Sequence, residues 1–177
     1  VSSHHITRAA LVAAPPVFTT TLAVTAGITP TPADLVYCTV IAMLPAAGLW
    51  HFSRHLPTGR PAETLRNPGV WAAVTTALLA CLTIAAFCYG YFFAFLLAPL
   101  LGIFTAFSAV GCVALHRRRR SGVALSIVPP TTLAMIALLT TAASTLTSTV
   151  LAADIVLLIP AGLTWITSRQ RDPFEKP

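Results

Sequence analysis

Proline and threonine carry most of the chemistry open to this chain. Pro15, Pro16, Pro45, Pro99, Pro129, Pro130 and Pro160 all fall inside apolar stretches. Within a helix, each removes an amide donor and crowds the carbonyl four residues earlier. Away from water, a freed carbonyl needs another partner. Thr19, Thr20 and Thr21 follow the first Pro-Pro pair, and Thr131 and Thr132 follow the second. Their hydroxyls are candidate partners, and the two doubled kinks are candidate walls of a polar path. Pro15, Pro16, Thr19, Thr20, Pro129, Pro130, Thr131 and Thr132 are therefore the path-lining candidates. Ordinary packing kinks are the alternative, since proline is frequent in membrane helices.

Titratable groups are few. Asp154 is the only acid well inside an apolar stretch. An acid there should face a bundle interior or a wet cavity, as a proton or cation site or a gate contact. The alternative is a carboxylate reaching outward to an interface, because it lies only about 8 Å from the helix end at 1.5 Å per residue. His51 and His55 are four apart and share a helix face. That spacing can hold zinc only with a third ligand, for which His4, His5 or His116 are candidates, and plain interfacial histidines are the expectation. Axial haem ligation is a weaker thought, because no attachment motif occurs. Cys38, Cys81, Cys88 and Cys112 form no CxxC pair and read as small buried hydrophobes. There is no GxSxG, HExxH, Walker loop or GxGxxG. The five carboxylates are scattered, so no acid–base pair is evident. The expectation is a protein that is not an enzyme, with no catalytic residue, cofactor or resident metal.

These residues must be positioned by helices. The chain is 56% hydrophobic and 9% charged, with mean hydropathy +0.81. A soluble domain of this length needs more charge to cover its surface, whereas about 20 apolar helical residues span a bilayer. The pattern predicts an all-α, polytopic membrane protein with six transmembrane helices arranged as three hairpins. The hairpins cover 7–52, 68–115 and 122–167, within a single transmembrane domain over 1–177. A cytoplasmic loop or short surface helix covers 53–67, and a tail covers 168–177. Asp34 or Thr31 is the expected cap of the second helix.

All eleven Lys and Arg residues then fall on one side. Arg8 precedes the first span, and Arg54, Arg60 and Arg66 separate the second from the third. Arg117, Arg118, Arg119 and Arg120 separate the fourth from the fifth, and Arg169, Arg171 and Lys176 follow the sixth. Basic residues resist translocation, so both termini are expected in the cytoplasm, the protein lying multi-pass in a bacterial inner membrane. The formal charge of +6 is thereby explained without nucleic acid. Membrane lipids are the expected partners, with Arg117 to Arg120 touching headgroup phosphate. Further copies of the chain or other membrane subunits are also expected.

An internal repeat is visible. Pro45-Ala-Ala-Gly-Leu-Trp50-His-Phe-Ser-Arg54 and Pro160-Ala-Gly-Leu-Thr-Trp165-Ile-Thr-Ser-Arg169 share Pro, Trp, Ser and Arg at a shift of 115. The two Pro-Pro pairs match at a shift of 114. The first and third hairpins thus read as parallel copies, a device of transporter folds.

Ala62-Glu-Thr-Leu-Arg-Asn-Pro68-Gly-Val-Trp-Ala-Ala resembles the segment entering the third helix of the tellurite-resistance/dicarboxylate transporter family, whose plant relatives are slow anion channels. Asn67 stands where that family usually has histidine. The Pro-Pro pairs resemble its proline-broken inner helices. The resemblance implies an anion path between the first, third and fifth helices, served by inner-side arginines that concentrate anions. That family has five hairpins against three here, so no gate residue carries over. Transport of small anions is the first functional expectation. A non-catalytic accessory subunit of a larger membrane complex is the alternative.

Overall fold

The computed structural model describes residues 3–25, 32–54, 61–88, 92–117, 119, 121–141 and 147–170, all of it helix apart from short turns. The helices are α1 (Ser3–Thr25), α2 (Pro32–Arg54), α3 (Pro61–Leu65), α4 (Pro68–Cys88), α5 (Phe92–His116), α6 (Ser121–Thr141) and α7 (Thr147–Gln170). Every long helix begins and ends within a few residues of its expected position. Asp34 lies inside α2 rather than before it, so it is not the helix cap. The six long helices have 21 to 25 residues, or about 32–38 Å at 1.5 Å per residue. Two helical stretches, Pro68–Ala85 and Ala98–His116, are long and apolar enough to cross a membrane; Ser121–Ile136 and Ile155–Arg169 are shorter apolar stretches.

The helices pack as an arc around a central one. Helix α4 touches α1, α2, α5, α6 and α7, and around it lie α2, α1, α7, α6 and α5 in that order, each against the next. The connections within the arc are too short to run back along a helix, so sequential neighbours are antiparallel. Among the described residues α2 and α5 do not touch along their lengths. Their ends meet through an edge-on contact between Phe52 and His116, with centroids 6.4 Å apart.

Composition explains why α4 is central. It carries small and apolar side chains on every face, and Ala72, Thr75, Leu79 and Cys81 are completely buried. Phe18, Leu49, Leu101, Leu133 and Leu157 close on it from the surrounding helices and make one continuous core. Asn67 starts α4: its Oδ1 accepts the Gly69 amide at 3.0 Å, a side-chain cap of an orphan donor. Pro68 follows at the first helical position, where its missing amide costs nothing. The indole Nε1 of Trp71 donates to the Leu65 carbonyl at 2.7 Å and fixes the angle between α3 and α4.

Candidate functional site

The expected path residues do not form one wall. Among the described residues α1 and α6 make no contact, because α7 and α4 lie between them. The candidates therefore divide over two seams. Pro15 and Thr19 are buried and Pro16 and Thr20 half-buried on α1; Pro129 and Pro130 are buried and Thr132 half-buried on α6. Thr131 is exposed. The filled core of α4 and Leu157 of α7 occupy the middle.

The bonds seen for Thr19, Thr20 and Thr131 run to carbonyls other than those the prolines free. Thr19 Oγ1 donates to the carbonyls of Pro15 at 3.2 Å and Pro16 at 3.1 Å. Thr20 Oγ1 donates to Pro16 at 2.8 Å and Val17 at 3.0 Å. Thr131 Oγ1 donates to Ile127 at 2.9 Å and Val128 at 3.0 Å. The prolines free the carbonyls one turn before themselves, those of Leu11, Val12, Leu125 and Ser126. A threonine hydroxyl reaches back only three or four residues. Placed after the proline, it therefore reaches the proline's own turn and not the freed one. Thr164, completely buried, repeats the pattern on Pro160 at 2.8 Å. Thr20, Thr131 and Thr164 place their hydroxyls on carbonyls of their own helices, and among the described residues no buried side-chain polar atom is left without a partner.

Two hydroxyl pairs link helices instead. Thr76 Oγ1 and Ser108 Oγ lie 2.9 Å apart, as do Thr83 Oγ1 and Thr105 Oγ1, both across α4 and α5. Sequence reasoning missed them, although Thr76 and Thr83 are seven apart and so share a face. Gly111, a residue whose lack of a side chain allows close helix contact, brings α5 against α6. A Cβ placed on Gly111 of α5 would lie 2.6 Å from Ser126 Oγ and 2.8 Å from Ser126 N. One on Gly122 of α6 would lie 2.6 Å from Leu115 N. Gly122 and Ser126 form a small-xxx-small pair, a motif that lets backbones meet.

The basic residues share one end of the bundle. Arg54 ends α2, Arg66 precedes α4, Arg117 and Arg119 follow α5, and Arg169 lies in the last turn of α7. All five are exposed, and Arg8 near the start of α1 is half-buried. Arg118, Arg120, His55 and the side chain of Asp154 lie outside the described residues. His51 is exposed at the end of α2 and His116 at the end of α5. Among the described residues no group of three His, Cys, Asp or Glu comes together as a metal site.

The repeat is reproduced in three dimensions. The Arg54 guanidinium sits 5.5 Å from the Trp50 ring centroid, and that of Arg169 sits 4.6 Å from the Trp165 ring. Ser53 Oγ donates to the Trp50 carbonyl at 2.7 Å, and Ser168 Oγ to the Trp165 carbonyl at 2.7 Å. Each tryptophan is 46% exposed, and Pro45 and Pro160 are both buried. No protein-family model, curated protein or solved structure matches the chain.

Proposed function

We propose that the chain is a six-span integral membrane protein serving as a non-catalytic subunit of a larger membrane assembly. The observation that carries the membrane reading is the polarity of the bundle. Val40, Met43 and Leu44 on α2, Ile103, Phe107 and Val110 on α5, Val128 and Met135 on α6, and Ile155 and Ile159 on α7 all face outward, Leu44 at 74% exposure. Thr75, Ser108, Ser126 and Thr164 are completely buried. In water such a surface has no stable solvent; in lipid it is the natural arrangement. The positive-inside rule puts the arginine end in the cytoplasm. The subunit role is supported by the filled centre around α4, which leaves the outer surface as the working part.

Anion transport is the second reading. The arginines gathered at one end and the proline-bearing helices on both sides of α7 favour it, as does the resemblance to slow anion channels. Cysteines introduced at Arg117 and Arg169 should react with an impermeant maleimide only from the cytoplasmic face. Labelling of the two from opposite faces would sink the topology. The mass of the native particle, extracted in mild detergent, then separates the roles. Other chains in fixed ratio support the subunit; a monomer or homo-oligomer alone refutes it and leaves transport, to be measured as anion flux in vesicles.

A further inference from the structure

The Trp–Arg pairs at the ends of α2 and α7 make a duplicated site whose stacked geometry neither functional reading uses. On α2, Val36, Val40, Met43, Ala47, Trp50 and Arg54 recur at helical spacing and are all exposed. On α7, Ile155, Leu158, Gly162, Trp165 and Arg169 do the same. Residues 40, 43, 47, 50 and 54 map onto 155, 158, 162, 165 and 169 at the shift of 115, so the two outward stripes coincide position by position. Each stripe grades from aliphatic to aromatic to cationic. From Val40 to Trp50 it runs about 15 Å at 1.5 Å per residue, half of a hydrocarbon core about 30 Å thick.

The cation in each stripe is held and available. Stacking on the indole fixes the guanidinium beside the helix, and the adjacent serine satisfies the tryptophan carbonyl. Among the described residues neither Arg54 nor Arg169 has a carboxylate partner. A planar guanidinium with free donors binds phosphate oxygens in a bidentate way. An indole suits the level of the lipid headgroups, and the aliphatic stretch beneath suits an acyl chain.

We propose that each Trp–Arg pair binds one anionic phospholipid, its phosphate on the guanidinium and a chain along the stripe below, giving two equivalent sites per chain. The proposal rests on the membrane reading, which the cysteine labelling above tests separately.

The test is native mass spectrometry of the full chain in mild detergent, with added dioleoyl-phosphatidylglycerol and dioleoyl-phosphatidylcholine as probes. The wild-type chain should retain two phosphatidylglycerols and lose both phosphatidylcholines. Arg54→Gln or Arg169→Gln should each retain one. The double variant should retain none, with at least a tenfold weaker apparent affinity. Arg8→Gln with Arg66→Gln removes the same charge and should still retain two. Two lipids kept by the Arg54/Arg169 double variant, or equal loss in the Arg8/Arg66 control, would overturn the proposal. So would displacement by glycerol phosphate as effective as by the lipid, because the stripe would then contribute nothing. Should the double variant misfold, Arg54→Lys with Arg169→Lys keeps the charge but loses the planar fork. It should retain fewer than two, and undiminished retention there would also overturn the assignment.

Discussion

Replacing Gly111 by alanine tests the packing logic of the bundle where α5 and α6 meet closely. The added methyl would meet Ser126 Oγ at 2.6 Å, Ser126 N at 2.8 Å and Leu125 C at 2.9 Å. Two of these are backbone atoms, so no rotamer change relieves them. To restore ordinary contact near 3.4 Å to the Ser126 amide nitrogen, α5 and α6 must separate by about 0.6 Å, the difference between 3.4 and 2.8. Overpacking of this kind costs about 1–3 kcal/mol. Alanine returns about 0.5–1 kcal/mol through its better helix propensity. The net loss centres on about 1.25 kcal/mol, within a span of about 0–2.5, or roughly an eightfold fall in the ratio of folded to unfolded protein at the centre. Gly122→Ala strains the same contact through Leu115 N and the Gly111 carbonyl, so the double variant should lose less than the sum. Gly48 and Gly162 are the controls, because a Cβ on either meets nothing within 4 Å. There alanine should be neutral or should gain up to about 1 kcal/mol. The assay is unfolding in mixed micelles with increasing dodecyl sulfate, followed by far-ultraviolet circular dichroism. If Gly111→Ala behaves like Gly48→Ala, the close approach of α5 and α6 is wrong.

Three further outcomes follow from single contacts. Asn67→Ala removes the side-chain acceptor at the start of α4 and should cost about 1 kcal/mol in the same titration, while Asn67→Asp should cost little; equal losses would show that the cap does not matter. A double-mutant cycle on Thr76→Val and Ser108→Ala should give a coupling of about 0.6 kcal/mol, and at most about 1.7, as for other interhelical hydroxyl bonds in membranes; zero coupling would remove the bond between α4 and α5. Pro16→Ala with Pro130→Ala restores amide donors for the Val12 and Ser126 carbonyls, so helicity should rise. Under the subunit reading vesicle anion flux stays at background in both proteins, whereas a change in flux with folded protein retained would favour transport.

The chain's apolar stretches, the polar segment over 53–67 and its one-sided arginines made six long helices legible without coordinates. The reason is local: hydrophobic length and charge placement act along a single helix and need no neighbour. The repeat was legible for the same reason, although only the coordinates showed that Trp50–Arg54 and Trp165–Arg169 stack. The order of the helices in space was not legible. All six are apolar on most faces, so periodicity could not say which face meets which helix. The candidate path depended on that order, and α7, inserted between α1 and α6, divides it in two. Nor could proline and threonine content say where each hydroxyl bonds; that follows from the reach of a side chain over its own preceding turn. Sequence determined what each helix is, because that depends on the residues along it. Only the tertiary structure decided that α4 stands at the centre and that Gly111 meets Ser126, because both are settled by which surfaces fit together most closely.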